Sequence, residues 1–189
     1  MKEKETKIKS WNYVLSFFWE IAKVVIISLA IIIPIRYFLF QPFFVRGASM
    51  EPNFEDSEYL IIDEISYRFS EPKRGNVIIF KYPKDPSQYY IKRIIGLPEE
   101  TIKIENGKVI ISNKENPRGF ILTEPYLAEE NKFTSGNLEI KLDENDYFVL
   151  GDNRQASSDS RRWGAVPRHY IIGRTWLRAW PFNRIGVLN

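Results

Sequence analysis

The sequence contains no cysteine, and His169 is the single histidine among its 189 residues. The missing cysteines exclude disulfides, thiolate zinc sites and cysteine nucleophiles, and they leave the redox compartment open. One histidine cannot build a metal site that needs several imidazole ligands. These absences confine the chemistry of the chain to groups other than thiolates and clustered imidazoles.

The chain also lacks a strong charge of one sign, since its formal net charge is only +3. Residues 1–36 carry six Lys/Arg and three Glu, which leaves 21 of the 27 basic and 21 of the 24 acidic residues in the remainder. Phosphate binding needs a basic face. The neutral remainder therefore argues against nucleic acid as a partner.

One apolar segment runs from Trp11 to Phe44, but its uninterrupted part, residues 24–35, is short. A helix of that part spans roughly 18 Å, against roughly 30 Å for the hydrocarbon core of a bilayer. Two features extend the span beyond this part. Glu20 and Lys23 can pair on one helix face, and the Lys23 and Arg36 side chains can snorkel toward opposite interfaces.

We therefore predict a transmembrane anchor at residues 15–36. The lysine-rich residues 1–14 then stay in the cytoplasm by the positive-inside bias, which puts the rest of the chain on the outer face of the cell membrane. An interfacial helix and a cleaved secretory signal are the alternatives. Cleavage is disfavoured because Pro34, Arg36 and several aromatic residues follow the apolar core instead of a small-residue cleavage site.

The rest of the chain has the pattern of a mainly β protein. Asn106-Gly107 between two strand-like arms indicates a hairpin over residues 101–111. Short apolar runs bounded by polar or turn residues predict strands at 59–62 and 77–80. A further strand is predicted at 146–150, before Gly151, and a last long strand at 171–180. We predict an antiparallel β core from residues 37–98 and 142–189, with a smaller inserted β-rich lobe at 99–141.

Ser49 follows the apolar segment almost at once and is flanked by small residues. A serine hydroxyl needs a base to act as a nucleophile. His169 sits in a polar turn and is more typical of a surface residue. Lys92 lies on a strand-like segment, on the same face as Tyr90 and Ile94, where desolvation would favour a neutral amine. A solvated edge lysine is the alternative.

The polar segment 151–164 follows an apolar strand and is dense in hydrogen-bonding side chains. It is either a plain surface loop or a wall that orders a site. In the second case Ser157 hydrogen-bonds the lysine amine, and Asp159 pairs with Arg161.

Together these segments resemble the bacterial type I signal peptidases, membrane-anchored serine–lysine proteases that remove secretory signal peptides. The resemblance covers nearly the whole chain after the apolar segment, in the expected order. Four segments carry it: Gln41–Val45 leading into Ser49-Met50-Glu51-Pro52, Arg74–Phe80, Tyr90–Pro98, and Gly151–Arg154 through Arg161.

The resemblance implies that Ser49 is the nucleophile and Lys92 the general base. It implies that Ser157 orients the lysine and that Asp159 and Arg161 form a structural pair. It further implies shallow pockets for small residues at five positions: Phe43, Val45, Phe54, Tyr90 and Ile91. Secretory preproteins and the lipid bilayer are the implied partners, no metal or cofactor is required, and the oligomeric state stays open.

Some positions depart from the family pattern. Gly47 stands where some members carry a hydroxyl that donates to the oxyanion beside the Ser49 N–H; the glycine backbone or a water is left to replace that donor. Arg46 stands where proline is frequent, and Asn53-Phe54 replaces a frequent Thr-Leu.

Three other functions compete with this one. A self-cleaving repressor-type regulator shares the serine–lysine logic, but the anchor and the neutral outer part speak against it. A non-catalytic, membrane-anchored module would bind exported chains without cutting them. A specialised relative would process one particular exported protein.

Overall fold

A computed structural model describes residues 16–33 and 40–188. Residues 16–33 form one apolar helix, α1 (Ser16–Ile33), long and apolar enough to cross a membrane. At 1.5 Å per residue it extends about 27 Å. The predicted pair is present, since Lys23 Nζ donates to Glu20 Oε1 at 2.6 Å. The predicted cytoplasmic residues 1–14 and the predicted ends of the span, residues 15 and 34–36, lie outside the described residues.

Residues 40–188 are built from two antiparallel sheets and two short helices. The strands run in chain order as β1 (Phe40–Phe44), β2 (Tyr59–Asp63), β3 (Val77–Tyr82), β4 (Asp85–Gly96), β5 (Thr101–Glu105), β6 (Lys108–Ser112), β7 (Phe120–Ile121), β8 (Leu138–Lys141), β9 (Asp146–Leu150), β10 (Val166–Pro167), β11 (Ile171–Trp180) and β12 (Gly186–Val187). The helices are α2 (Ser66–Phe69) and α3 (Ser160–Trp163), with 3₁₀ turns at Glu129–Asn131, Arg168–Tyr170 and Phe182–Arg184. The mainly β fold with an N-terminal apolar helix is confirmed.

The larger sheet has the order β1-β2-β11-β3-β4-β9-β10, with β12 beside β11. Its central strands are rich in Ile, Val and Phe, and their side chains fill a core on each face. On one face Met50, Leu60, Ile79 and Ile91 belong to a cluster that lies beneath the Ser49 segment. This core fixes the backbone on which the candidate site stands.

The smaller sheet has the order β7-β6-β5-β8. Its central hairpin turns at Asn106 and Gly107, whose φ values of 51° and 76° are those of a type I′ turn. That hairpin prediction is confirmed. Ile102 and Ile111 of this sheet pack with Phe148 and Leu150 of the larger sheet, so the two sheets share a hydrophobic cluster.

Candidate active site

The Ser49 segment is a turn fastened at both ends. Val45 N–H donates to Glu58 O at 2.9 Å, and Ser57 N–H donates to Val45 O at 2.9 Å. Immediately after Ser49, the side chain of Met50 is fully buried in the core. The serine is thus held between a backbone bridge and a buried anchor, and it is itself half-buried.

Lys92 lies on β4, opposite Ile78 of β3. Its Nζ is 2.7 Å from Ser49 Oγ and 2.8 Å from the Ile91 carbonyl oxygen. The lysine is only 4% exposed. The fold therefore brings together, at hydrogen-bond distance, two side chains that are 43 residues apart in the chain.

Burial lowers the pKa of Lys92 to about 8, and the carboxylates of Asp159 and Asp152 oppose that shift. Each of these carboxylates is engaged by an arginine: Arg161 Nε donates to Asp159 at 2.8 Å, and Arg93 Nε donates to Asp152 at 2.8 Å. Desolvation therefore prevails, because the nearby negative charges are already paired.

The segment 151–161 packs directly against the serine. Asn153 N–H donates to the Ser49 carbonyl oxygen at 3.1 Å, and Gly151 N–H donates to Asp159 Oδ2 at 3.1 Å. A Cβ at Gly151 would collide with Ser49 O and with the Ser157 hydroxyl. This position needs glycine because the two backbones approach so closely.

Ser157 does not make its predicted hydrogen bond to the Lys92 amine. Its Oγ is buried, yet it has no hydrogen-bond partner within the described ranges. The Lys92 amine bonds instead to Ser49 Oγ and to the Ile91 carbonyl. The expected hydroxyl–amine bond is therefore not formed, since the amine is turned toward the serine while the Ser157 hydroxyl packs against Gly151.

An open groove of about 540 Å³ runs past Ser49 and Lys92. Four of the five residues expected in substrate pockets line it, namely Phe43, Val45, Tyr90 and Ile91. Phe54 does not line this groove. It is 4% exposed in the core and borders a separate cavity beside Arg178.

The backbone donors near Ser49 are not equivalent. Gly47 N–H donates to Asp56 Oδ1 at 2.6 Å, so it is already occupied. That bond corrects the expectation that the Gly47 backbone is free to replace a missing donor. Ser49 N–H has no protein acceptor within residues 40–188.

A buried polar network around Asp152 was not predicted from the sequence. Asp152 accepts two hydrogen bonds from Arg93, at 2.8 and 2.5 Å, and one from Asn53 Nδ2 at 2.8 Å. Asn53 Nδ2 also donates to the Tyr126 carbonyl at 2.9 Å. The network ties the Ser49 segment to β4 and to the segment after β7. The only signals were the positions of Arg93 beside Lys92 and of Asp152 beside Gly151.

Residues 18–180 match the family model "Signal peptidase, peptidase S26". This chain belongs to the signal peptidase family S26. The recognised resemblance to this family is thereby confirmed.

Curated members of the signal peptidase family are similar along most of their length. A signal peptidase I of Leptolyngbya laminosa is 37% identical over 174 residues, covering 88% of this chain and 81% of the relative. One from Bacillus amyloliquefaciens is 35% identical over 191 residues, covering 96% and 92%. A crystal structure of a signal peptidase I from Enterococcus faecalis V583 is 31% identical, with a TM-score of 0.47, and covers 56% of this chain and 97% of that one.

His169 lies apart from the groove of this signal peptidase family member. It is exposed on a 3₁₀ turn, with its ring 4.3 Å from that of Tyr170. Within the described ranges no group of three or more His, Asp or Glu residues is arranged to hold a metal ion. The histidine is thus the surface turn residue that the sequence indicated.

Proposed function

We propose that this chain is a membrane-anchored serine endopeptidase that removes N-terminal signal peptides from exported preproteins, with Ser49 as nucleophile and Lys92 as general base. One observation carries the proposal. A lysine amine with a lowered pKa, almost completely buried, lies 2.7 Å from a serine hydroxyl in an open groove. The signal peptidase names of the relatives support the substrate class.

The chemistry begins with a neutral Lys92 amine. It accepts the Ser49 proton as Oγ attacks the scissile carbonyl carbon, which gives a tetrahedral oxyanion and an ammonium group. The ammonium then protonates the leaving amine as the C–N bond breaks, and an acyl ester remains on Ser49. Water activated by the neutral lysine attacks this ester, and the lysine returns the proton to Ser49 Oγ.

The oxyanion is stabilised by the Ser49 N–H, which donates to no protein acceptor within residues 40–188. Losing one such donor typically costs about 100- to 1,000-fold in rate. Because Gly47 N–H is taken by Asp56, we propose that an ordered water supplies the second donor.

The 151–161 segment has a positioning role. Asp159 accepts hydrogen bonds from Arg161 and from Gly151 N–H, and Asn153 N–H holds the Ser49 carbonyl. We propose that Ser157, which has no partner in this state, rotates about χ1 to bond the amine when substrate binds.

Substrate binds as an extended segment along residues 43–49 and β4. Side chains at the first and third positions before the cut enter the groove between Val45 and Ile91, while Phe43 and Tyr90 border it. Val45 and Ile91 are apolar, and the family relationship implies small residues at both positions. Phe54 acts only from beneath, as a core residue that supports the groove floor.

The proposed domain division assigns the chemistry to residues 37–98 and 142–189, with 99–141 as an inserted lobe. All strands of the smaller sheet fall within 101–141, which supports this division. The α1 helix is the proposed membrane anchor, with the lysine-rich N-terminus in the cytoplasm and the remainder on the outer face. Its length and apolar composition support a single span.

The direct test is to incubate the detergent-solubilised chain with a secretory preprotein and to sequence the new N-terminus. Wild type and Ser112→Ala, a serine substitution on β6 in the smaller sheet, should release the mature protein at one site. Ser49→Ala should release none. Cleavage by Ser49→Ala, or no cleavage by wild type, would refute the proposal.

A further inference from the structure

Arg46 is an exposed arginine in the wall of the groove, three residues before Ser49. Burial alternates along this stretch: Phe43 is half-buried, Phe44 is 65% exposed, Val45 is 4% exposed, and Arg46 is exposed. β1 ends at Phe44, and Arg46, two residues further on, lines the groove together with Phe43, Phe44 and Val45. The exposed guanidinium therefore lies at the rim of the groove, while the neighbouring Val45 side chain is buried.

The backbone of Arg46 is fixed although its side chain is not. Gly47 has φ +82°, and its N–H donates to Asp56 Oδ1, while Ser57 Oγ donates to Asp56 Oδ2 at 2.8 Å. Together with the Val45–Glu58 hydrogen bond, these contacts hold the arginine at the groove edge. The position of its backbone is thus set by the fold.

The guanidinium makes no hydrogen bond or ion pair within residues 40–188. The Asp56 carboxylate interacts electrostatically with the Arg46 guanidinium, but both of its oxygens already accept hydrogen bonds, from Gly47 N–H and from Ser57 Oγ. Arginine offers five N–H donors in a fork that matches a carboxylate. In this structure those donors face solvent beside the groove.

The charge of the groove wall is one-sided. Its polar lining residues besides the Ser49–Lys92 pair are Gln88, Ser158 and Arg46, together with tyrosines, and no aspartate or glutamate of residues 40–188 lines it. A cleft lined by one sign of charge with apolar walls concentrates its field on the bound ligand. Arg46 is the permanently charged residue of this lining, and the Asp56 carboxylate that interacts with it is not part of the lining.

We propose that Arg46 is a specificity-determining residue that binds the carboxylate of an aspartate or glutamate at the second or fourth position before the cut. This inference rests on the proposed peptidase function. Arg46 borders the same groove as Ser49 and precedes it by three residues. First- and third-position side chains enter the groove, so the second and fourth point outward, toward the arginine.

The test uses one preprotein in three versions, with alanine, glutamate or lysine at the second position before the cut, and a matching set at the fourth. Each is cleaved by wild type, Arg46→Gln, Arg46→Glu and Arg118→Gln. Arg118→Gln is the matched control, because Arg118 is exposed in a turn near the smaller sheet and its loss changes net charge equally. The readout is the ratio of kcat/KM between versions, so each variant is its own reference.

Wild type and Arg118→Gln should prefer glutamate over alanine by about three- to tenfold at one of the two positions, the range of a partly exposed charge-assisted pair. Arg46→Gln should abolish the preference, and Arg46→Glu should favour lysine. Salt of about 1 M, with a screening length of about 3 Å, should reduce the ratio.

An equal glutamate preference in wild type and Arg46→Gln, or none in wild type, would overturn the inference and leave the peptidase proposal intact. A loss of binding to anionic vesicles in Arg46→Gln without any change in substrate preference would assign the arginine to lipid and would also overturn it. Failure of wild type to cleave every version would defeat the peptidase proposal itself.

Discussion

Raising the pH is predicted to increase kcat/KM along a single titration curve with a midpoint near that of Lys92. The cause is the neutral amine that the proposed mechanism requires in the free enzyme. Burial lowers the pKa of this amine from 10.5 to about 8, with the carboxylates of Asp159 and Asp152 opposing the shift. Because the active form is the deprotonated one, activity is lost as the pH falls below the folded-state pKa.

The size of the effect follows from that pKa. At pH 7, a lysine with a pKa of about 8 is neutral in about one molecule in ten. With the ordinary pKa of 10.5 it would be neutral in only about one molecule in 3,000. Burial therefore supplies about 300-fold more active enzyme at neutral pH, and kcat/KM should fall about tenfold per pH unit on the acid side.

The assay is a steady-state pH profile of preprotein cleavage between about pH 6 and pH 10, with thermal unfolding at each pH to exclude denaturation. Asp159→Asn removes a carboxylate that raises the pKa of Lys92, so the midpoint should move to lower pH. Glu139→Gln, an exposed change on β8, should leave it in place. A profile that is flat across this range, or one that rises only near the pKa of ordinary lysine, would refute the reasoning.

Two further predictions concern the packing around the serine. Gly151→Ala introduces a methyl group that collides with the Ser49 carbonyl, so kcat should fall by about 100-fold or more. Gly186→Ala, where a Cβ meets open space, should cleave normally. Equal rates for the two variants would contradict the packing argument. Asn53→Ala removes the amide donor to the buried Asp152 carboxylate and should lower the free energy of unfolding by about 1–3 kcal/mol, measured by thermal unfolding. An unchanged melting temperature would show that water replaces the amide there.

Local sequence chemistry was sufficient for several strands and one turn. Asn106-Gly107 supplies the two positive φ values of a type I′ turn, so the hairpin could be predicted from two adjacent residues. The last long strand was predicted at residues 171–180, which are the bounds of β11 in the structure. Such features depend on near neighbours in the chain and therefore leave a readable pattern.

Long-range contacts left a weaker pattern. A buried lysine on a strand looks like an edge lysine until the family pattern relates it to Ser49. The Asn53–Asp152 hydrogen bond joins residues 99 apart, and nothing local to either residue predicts it. Similarly, the hydrogen bond from Gly47 N–H to Asp56 depends on how the chain turns between these residues, which are nine positions apart. Two side-chain contacts were also not predicted correctly, since Phe54 packs in the core and the Ser157 hydroxyl makes no hydrogen bond to the Lys92 amine.

The most direct test of the serine–lysine mechanism is to trap the acyl-enzyme. The detergent-solubilised chain is mixed with an activated ester of a peptide that ends in alanine, quenched in acid and mapped by mass spectrometry. The account predicts that the peptide containing Ser49 gains the acyl mass in wild type and in Lys84→Arg, a matched change at an exposed lysine. Lys92→Arg should not be acylated, because a guanidinium cannot serve as a neutral base. Acyl mass on another residue, or acylation of Lys92→Arg at the wild-type rate, would contradict the account.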